Sequence, residues 1–150
     1  MFGSTLVGVV FGLNLSQLFV GMGWAFPQSP ISLIVTMPLI GIAVWIATLP
    51  IYRYRKAVEE YREGPRPARP DSIYALRALV LSRATALAGV LFIGWHLGAL
   101  IWLVVFSVAP PQPVLLTSIA LIASIAMLAG GLIGQSNCKT PKGPSSEEPA

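Results

Sequence analysis

Long apolar runs alternate with short polar breaks along the chain, and the run with the clearest limits covers residues 84–107. Its 24 residues carry no formal charge, while Arg77 and Arg83 precede it. At about 1.5 Å per residue, a helix of this length crosses a hydrocarbon core of roughly 30 Å. The pattern therefore predicts a transmembrane helix over 84–107.

The first 52 residues contain no charged residue and no histidine, which is too long a run for one crossing. Residues 26–30 place two prolines around polar residues and predict a turn. We therefore expect spans over 3–25 and 31–52, paired as a tight helical hairpin. A cleavable signal peptide is the alternative, but a positive first region and an Ala-x-Ala-like cleavage site are missing.

A fourth span is expected over 114–133, after the proline-rich break at 109–113. The sequence thus predicts an all-α, integral membrane four-helix bundle over residues 1–134, built as two helical hairpins. A basic cytoplasmic loop over 53–83 would join the hairpins, and a disordered cytoplasmic tail would occupy 135–150. The loop should begin as a helical extension in which Lys56 and Glu60 pair, and Asp71 should cap the next helix.

Composition agrees with this assignment. The chain is 55% hydrophobic and 11% charged, whereas soluble domains carry about 25% charged residues. Its 150 residues leave no room beside four spans for a separate soluble catalytic domain.

The basic residues indicate an orientation, because eight of the ten lie between residues 53 and 83. Positive loops stay in the cytoplasm, so we expect a bacterial inner-membrane protein with both termini cytoplasmic. Basic side chains near the spans should contact anionic lipid headgroups; these are Arg53, Arg55, Lys56, Arg77 and Arg83. Binding to nucleic acid or phosphorylated metabolites is the alternative, but no interleaved aromatics or glycine-rich phosphate loop accompany these residues.

Small residues at intervals of four mark three spans: Gly8 and Gly12, Gly94 and Gly98, and Gly130 and Gly134. In lipid, such residues let helix backbones approach closely. We expect these glycines to form helix contacts, either within one subunit or between subunits.

Three polar residues form a candidate intramembrane site: His96, Asn14 and Gln17. Asn14 and Gln17 should point into the bundle, because facing lipid is costly. His96 could serve proton relay, metal binding or cofactor binding, or could simply be bonded to Asn14, Gln17, Thr85 or a backbone carbonyl of a kinked helix. No carboxylate, cysteine or second histidine lies inside a span, so we expect no catalytic residue, metal or cofactor.

The residues around span 3 also carry a resemblance. The runs 75–78, 83–91 and 94–98, with the closing pair Cys138 and Lys139, resemble an actinobacterial family of small four-span membrane proteins of unknown function. Genes of that family often lie beside folate-biosynthesis genes. Its members tend to carry lysine where Arg83 stands, and the motif does not fix His96. The resemblance implies a fold and a location.

Two functions remain open. The first is a non-enzymatic accessory or scaffolding subunit that binds a membrane-protein partner, or a further copy of itself, through helix faces. The alternative is a small oligomeric transporter of a metabolite such as a pterin-like compound, in which His96, Asn14 and Gln17 would face a shared cavity. An enzyme is less favoured than either, because no catalytic constellation is evident.

Overall fold

The computed structural model describes residues 2–26, 29–60, 71–106 and 111–139. It contains four α-helices: α1 Phe2–Gly21, α2 Ile31–Glu59, α3 Ser72–Phe106 and α4 Pro111–Asn137. Each helix is long and apolar enough to cross a membrane. Within the described residues there is no strand. The predicted all-α membrane class with four helices is confirmed, and the chain is a multi-pass membrane protein.

Two helices extend beyond the predicted spans. Helix α2 continues past residue 52 to Glu59, and Lys56 Nζ lies 3.6 Å from Glu60 Oε1 on this exposed extension. Helix α4 continues to Asn137, whose side-chain amide donates to Thr48 Oγ1 at 3.1 Å. The first residues of the predicted tail are therefore helical, because they pack against α2. Residues 140–150 and the proline-rich part of the loop, 61–70, lie outside the described residues.

Helix α3 begins where the sequence predicts a cap. The backbone N–H of Ile73 donates to Asp71 Oδ1 at 3.1 Å, and the N–H of Ala75 donates to the Asp71 carbonyl. From Ser72 the helix runs without interruption to Phe106. Residues 72–83 and the predicted span 84–107 therefore belong to one helix.

Helix α3 is central, because it packs against each of the other helices. Helix α1 contacts α3 alone among the described elements, and α2 packs mainly on α4. The predicted first hairpin is therefore wrong: α1 and α2 are consecutive in the chain but do not contact each other. The second pair, α3 and α4, does pack together.

The glycines of α1 and α3 explain why α1 lies on α3. A β-carbon on Gly12 would lie 2.5 Å from the Trp95 carbonyl oxygen, and one on Gly98 would lie 2.5 Å from the Val9 carbonyl oxygen. Backbone thus meets backbone, a contact that only glycine permits at this distance. The glycines of spans 1 and 3 meet each other within one subunit.

Helix α4 uses its glycines in the same way, but against two helices. Gly130 faces the backbone of Gly41 in α2, where a β-carbon would lie 2.5 Å from the Gly41 Cα. One on Gly134 would meet the side chains of Ser82 in α3 and Val44 in α2. These glycines therefore allow α4 to pack closely against both α2 and α3.

The basic residues gather at one end of the bundle, where α2 and α4 end and α3 begins. Arg55 Nη1 donates to the Ser136 carbonyl at 2.8 Å, and Tyr74 OH donates to the Ala47 carbonyl at 2.6 Å. A cation beside the last carbonyls of a helix also favours the helix dipole. Every described Lys or Arg belongs to these three segments; they are Arg53, Arg55, Lys56, Arg77, Arg83 and Lys139.

Candidate functional site

His96 is the buried polar centre of the described structure, with 1% of its surface exposed. Its Nδ1 lies 2.7 Å from the Phe92 carbonyl oxygen and 3.1 Å from Ser124 Oγ, and its Nε2 lies 2.9 Å from Ser29 Oγ. Both ring nitrogens therefore have partners supplied by three segments of the chain: α3, α4 and the connection before α2.

The surroundings of this cluster are apolar and closely packed. Ser124 Oγ is 2.8 Å from the Ala120 carbonyl oxygen and 3.4 Å from Met37 Sδ. Met37 belongs to the buried core with Ala123 and Met127. His96 thus lies in a small polar cluster inside the apolar core, where any polar atom without a hydrogen bond would lower the stability of the fold.

Sequence reasoning offered a backbone carbonyl of a kinked helix as one possible partner of His96. The carbonyl that His96 contacts is that of Phe92, one turn earlier in α3 itself. Sequence reasoning missed Ser29 and Ser124. Ser124 could have been found, since it follows Ala120 at an interval of four on the small face of α4. Ser29 could not, because it is 67 residues from His96 and lies in a turn.

Asn14 and Gln17 do not join His96. The Asn14 amide donates to the Val10 carbonyl of its own helix at 2.7 Å and is exposed. Gln17 Oε1 accepts a hydrogen bond from Trp102 Nε1 at 3.1 Å. The prediction that Asn14 points into the bundle is wrong, because its own helix backbone already satisfies the amide. The three predicted site residues therefore occupy three separate places.

The connection between α1 and α2 lies alongside α3. The Phe26 ring stacks on Trp102 at 5.6 Å between centroids, and Ser29 bonds to His96. His96 is about 15 Å from the end of α3 at residue 106, at 1.5 Å per residue. The described residues Phe26 and Ser29 therefore lie alongside α3 and not beyond its end. Non-helical backbone is tolerated at such depth where it packs against protein.

Some grooves in the described structure are lined by apolar residues. One is a cleft of about 340 Å³ between α1 and α3, lined by Val7, Gly8, Phe11, Ala88, Leu91, Phe92 and Trp95. A second groove, of about 260 Å³, runs between α2 and α4 beside Gly41 and Gly130. Neither includes His96, so the buried cluster and the grooves are separate features.

The described residues contain no group of three or more His, Cys, Asp or Glu side chains that could hold a metal ion. Cys138, just after α4, is the one cysteine of the chain. Burial raises the pKa of the Cys138 thiol above its ordinary value, so less of it is the reactive thiolate at neutral pH.

Comparison with known proteins identifies one family. The family model described as "Protein of unknown function (DUF3180)" matches residues 1–142. No curated protein and no solved structure matches the chain.

Proposed function

The chain belongs to the DUF3180 family of proteins of unknown function, and we propose that it is a non-enzymatic accessory or scaffolding subunit acting through the free side of α1. The observation that carries this proposal is that α1 packs on α3 alone. A helix held on one side leaves most of its circumference available to another transmembrane helix.

The side chains on that free side support the proposal. Leu6, Val7, Val10 and Phe11 are each more than half exposed. Val7 and Phe11 also form one wall of the cleft whose floor is α3. A helix of a second membrane protein, or of another copy of this chain, would fill the cleft by van der Waals packing, which drives helix association in lipid.

A small transporter is the second candidate. The observation in its favour is the buried His96 cluster beside Ser29, a non-helical residue between α1 and α2, since transporters place interruptions of helical structure at their binding sites. The resemblance to actinobacterial proteins encoded beside folate genes makes a pterin-like compound the favoured cargo. Against this reading, Asn14, Gln17 and His96 do not line a common cavity, so the accessory role is preferred.

The protein's proposed location is the bacterial inner membrane, with both termini in the cytoplasm. Gathering of the described basic side chains at one end supports this orientation, because positive ends stay cytoplasmic. The same side chains would contact anionic lipid headgroups. Nucleic acid is not a proposed partner.

Photo-crosslinking from single positions tests the accessory role. A benzoylphenylalanine placed at Phe11, on the free side of α1, should capture one defined protein when the full chain is in its native membrane. Ile122 on α4 is the matched control position, because it is 65% exposed and outside the cleft. Protein capture that is absent at Phe11, or equal at both positions, would contradict the proposal.

A further inference from the structure

The hydrogen bonds of His96 fix which ring nitrogen carries the proton. The Phe92 carbonyl oxygen, 2.7 Å from Nδ1, can only accept. Nδ1 therefore bears the hydrogen, and Ser124 Oγ at 3.1 Å is a second acceptor for it. Nε2 is left with a lone pair, which accepts the hydroxyl hydrogen of Ser29 at 2.9 Å.

A serine bonded to a neutral imidazole, itself oriented by a third group, is the arrangement that activates a serine nucleophile. The Ser29–His96 distance lies within the range of about 2.6–3.2 Å that such pairs show. Here the orienting group is the Phe92 carbonyl instead of a carboxylate. A neutral carbonyl stabilises the imidazolium less, so a slow reaction is expected.

Ser29 and His96 differ in how much of each residue is exposed at the surface of the bundle. His96 is 1% exposed, whereas Ser29 is half-buried, and Ile31 two residues later is 70% exposed. His96 is thus shielded, whereas Ser29 is partly exposed at the apolar exterior of the bundle. A molecule that approaches Ser29 from this side would be apolar.

Ser29 also lies two residues before the start of α2, whose N-cap is Pro30. The N–H groups of Leu33 and Ile34 bond to the Pro30 carbonyl. Those of Ile31 and Ser32, in the first helical turn, have no acceptor within the helix. The positive end of the helix dipole therefore lies next to Ser29, where an oxyanion would develop during acyl transfer.

From these relationships we propose that Ser29 and His96 are a nucleophile and base that take an acyl group from an apolar carboxylic ester. Ser29 Oγ bonds to the ester carbonyl carbon while its proton passes to His96 Nε2. The bond from that carbon to the alcohol oxygen then breaks, and the alcohol leaves with this proton. Water attacks the Ser29 ester by the same proton route and releases the acid. This activity departs from the non-enzymatic part of the function proposed above, and it leaves the proposed binding of a partner to the free side of α1 unchanged.

A fluorophosphonate with a long alkyl chain tests the pair, because an activated serine attacks its phosphorus and displaces fluoride. The full chain in detergent micelles should carry the adduct on Ser29, with Ser32 unmodified as the internal comparison. Replacing the base in His96→Gln should lower the labelling rate about 10²- to 10⁴-fold. Ser29→Ala should abolish labelling. Ser118→Ala on α4 should leave it unchanged, because the Ser118 hydroxyl donates to the Val114 carbonyl of its own helix.

Thermal unfolding of each variant shows whether it is folded. Comparing the labelling of Ser29 with that of Ser32 in the unmodified chain requires no variant, so this comparison holds even if a variant fails to fold. Release of nitrophenolate from p-nitrophenyl octanoate by the unmodified chain, but not by Ser29→Ala, would extend the result from phosphorus to an acyl group. An unlabelled Ser29 in the folded chain, ester hydrolysis that survives Ser29→Ala, or labelling unaffected by His96→Gln would overturn the proposal. The crosslinking result at Phe11 does not depend on any of these outcomes.

Discussion

Gly8 and Gly94 touch through their backbones where α1 crosses α3. A β-carbon on Gly8 would lie 3.0 Å from the Gly94 Cα, and one on Gly94 would lie 2.9 Å from the Gly8 Cα. The small faces of these helices are therefore occupied inside the subunit. The partner proposed above would therefore bind to other side chains, and the exposed Leu6, Val7, Val10 and Phe11 of α1 are the ones proposed for it.

The loss of stability caused by replacing a glycine of α4 should depend on which atoms the new β-carbon meets. Gly130→Ala should destabilise the bundle by about 1–3 kcal/mol, because the methyl meets the backbone of Gly41. Gly134→Ala should cost less, since its neighbours Ser82 and Val44 present side chains that can move. Unfolding by sodium dodecyl sulfate in mixed micelles measures the order.

Gly21→Ala is the matched control for that series, because nothing lies within 4 Å of its added methyl. It should be neutral, or stabilising by up to about 1 kcal/mol through helix propensity. Equal losses for Gly21→Ala and Gly130→Ala would mean that α2 and α4 do not meet at Gly41.

Gln17 and Asn14, two polar residues of α1, should differ in how much they contribute to the stability of the bundle. Trp102→Phe removes the hydrogen bond to Gln17 and should cost about 0.6–1.7 kcal/mol, the range for such bonds in membranes. Asn14→Leu should change stability by less than about 0.5 kcal/mol, because the amide is exposed and bonds only within its own helix. The same unfolding assay measures both. A cost for Asn14→Leu matching that of Trp102→Phe would show that Asn14 faces the bundle after all.

The sequence was sufficient to predict the number of helices and the glycines that form contacts, because apolar length and small-residue spacing are local properties. It was insufficient to say which helices pair. Consecutive helices suggest a hairpin, yet Gly8 and Gly12 fit the glycines of α3, and α1 lies there.

Two hydrogen-bond partners of His96 were missed for the same reason, because they lie on segments that are distant in sequence. Ser29 and Ser124 lie 67 and 28 residues away, and only the docking of three segments brings them together. The prediction for Asn14 was wrong for a different reason. A side-chain amide can donate to the backbone carbonyl one turn earlier in its own helix, so a polar residue in a membrane span need not face the bundle interior.

Alkylation of Cys138 should depend on pH in a defined direction. Burial disfavours the thiolate, so the pKa lies above the ordinary value of 9.0. At pH 8 a smaller fraction is thiolate than in an exposed cysteine, and iodoacetamide should react more slowly than with a short peptide of residues 135–142. The rate should still be rising above pH 9. A rate that levels off below pH 9 would contradict the burial of this thiol.

The proposed membrane orientation predicts that two connections lie on opposite sides. Alkaline phosphatase fused after Gln28 should be active, since it would lie outside the cytoplasm, whereas a fusion after Gly64 should be inactive. Green fluorescent protein at the same two positions should give the reverse result. Activity of one reporter at both positions would place both connections on the same side of the membrane and would rule out a single crossing by α2 between them.

Helix α1 packs against α3 of the same chain, and a double-mutant cycle on the detergent-solubilised monomer measures that contact. Gly8→Ala and Gly94→Ala should each destabilise the monomer. The double variant should lose less stability than the sum of the two, by at least about 0.5 kcal/mol, because the first methyl already separates the two helices. Gly8→Ala with Gly130→Ala should be additive. Additivity for Gly8 with Gly94 would contradict the arrangement of the helices around α3.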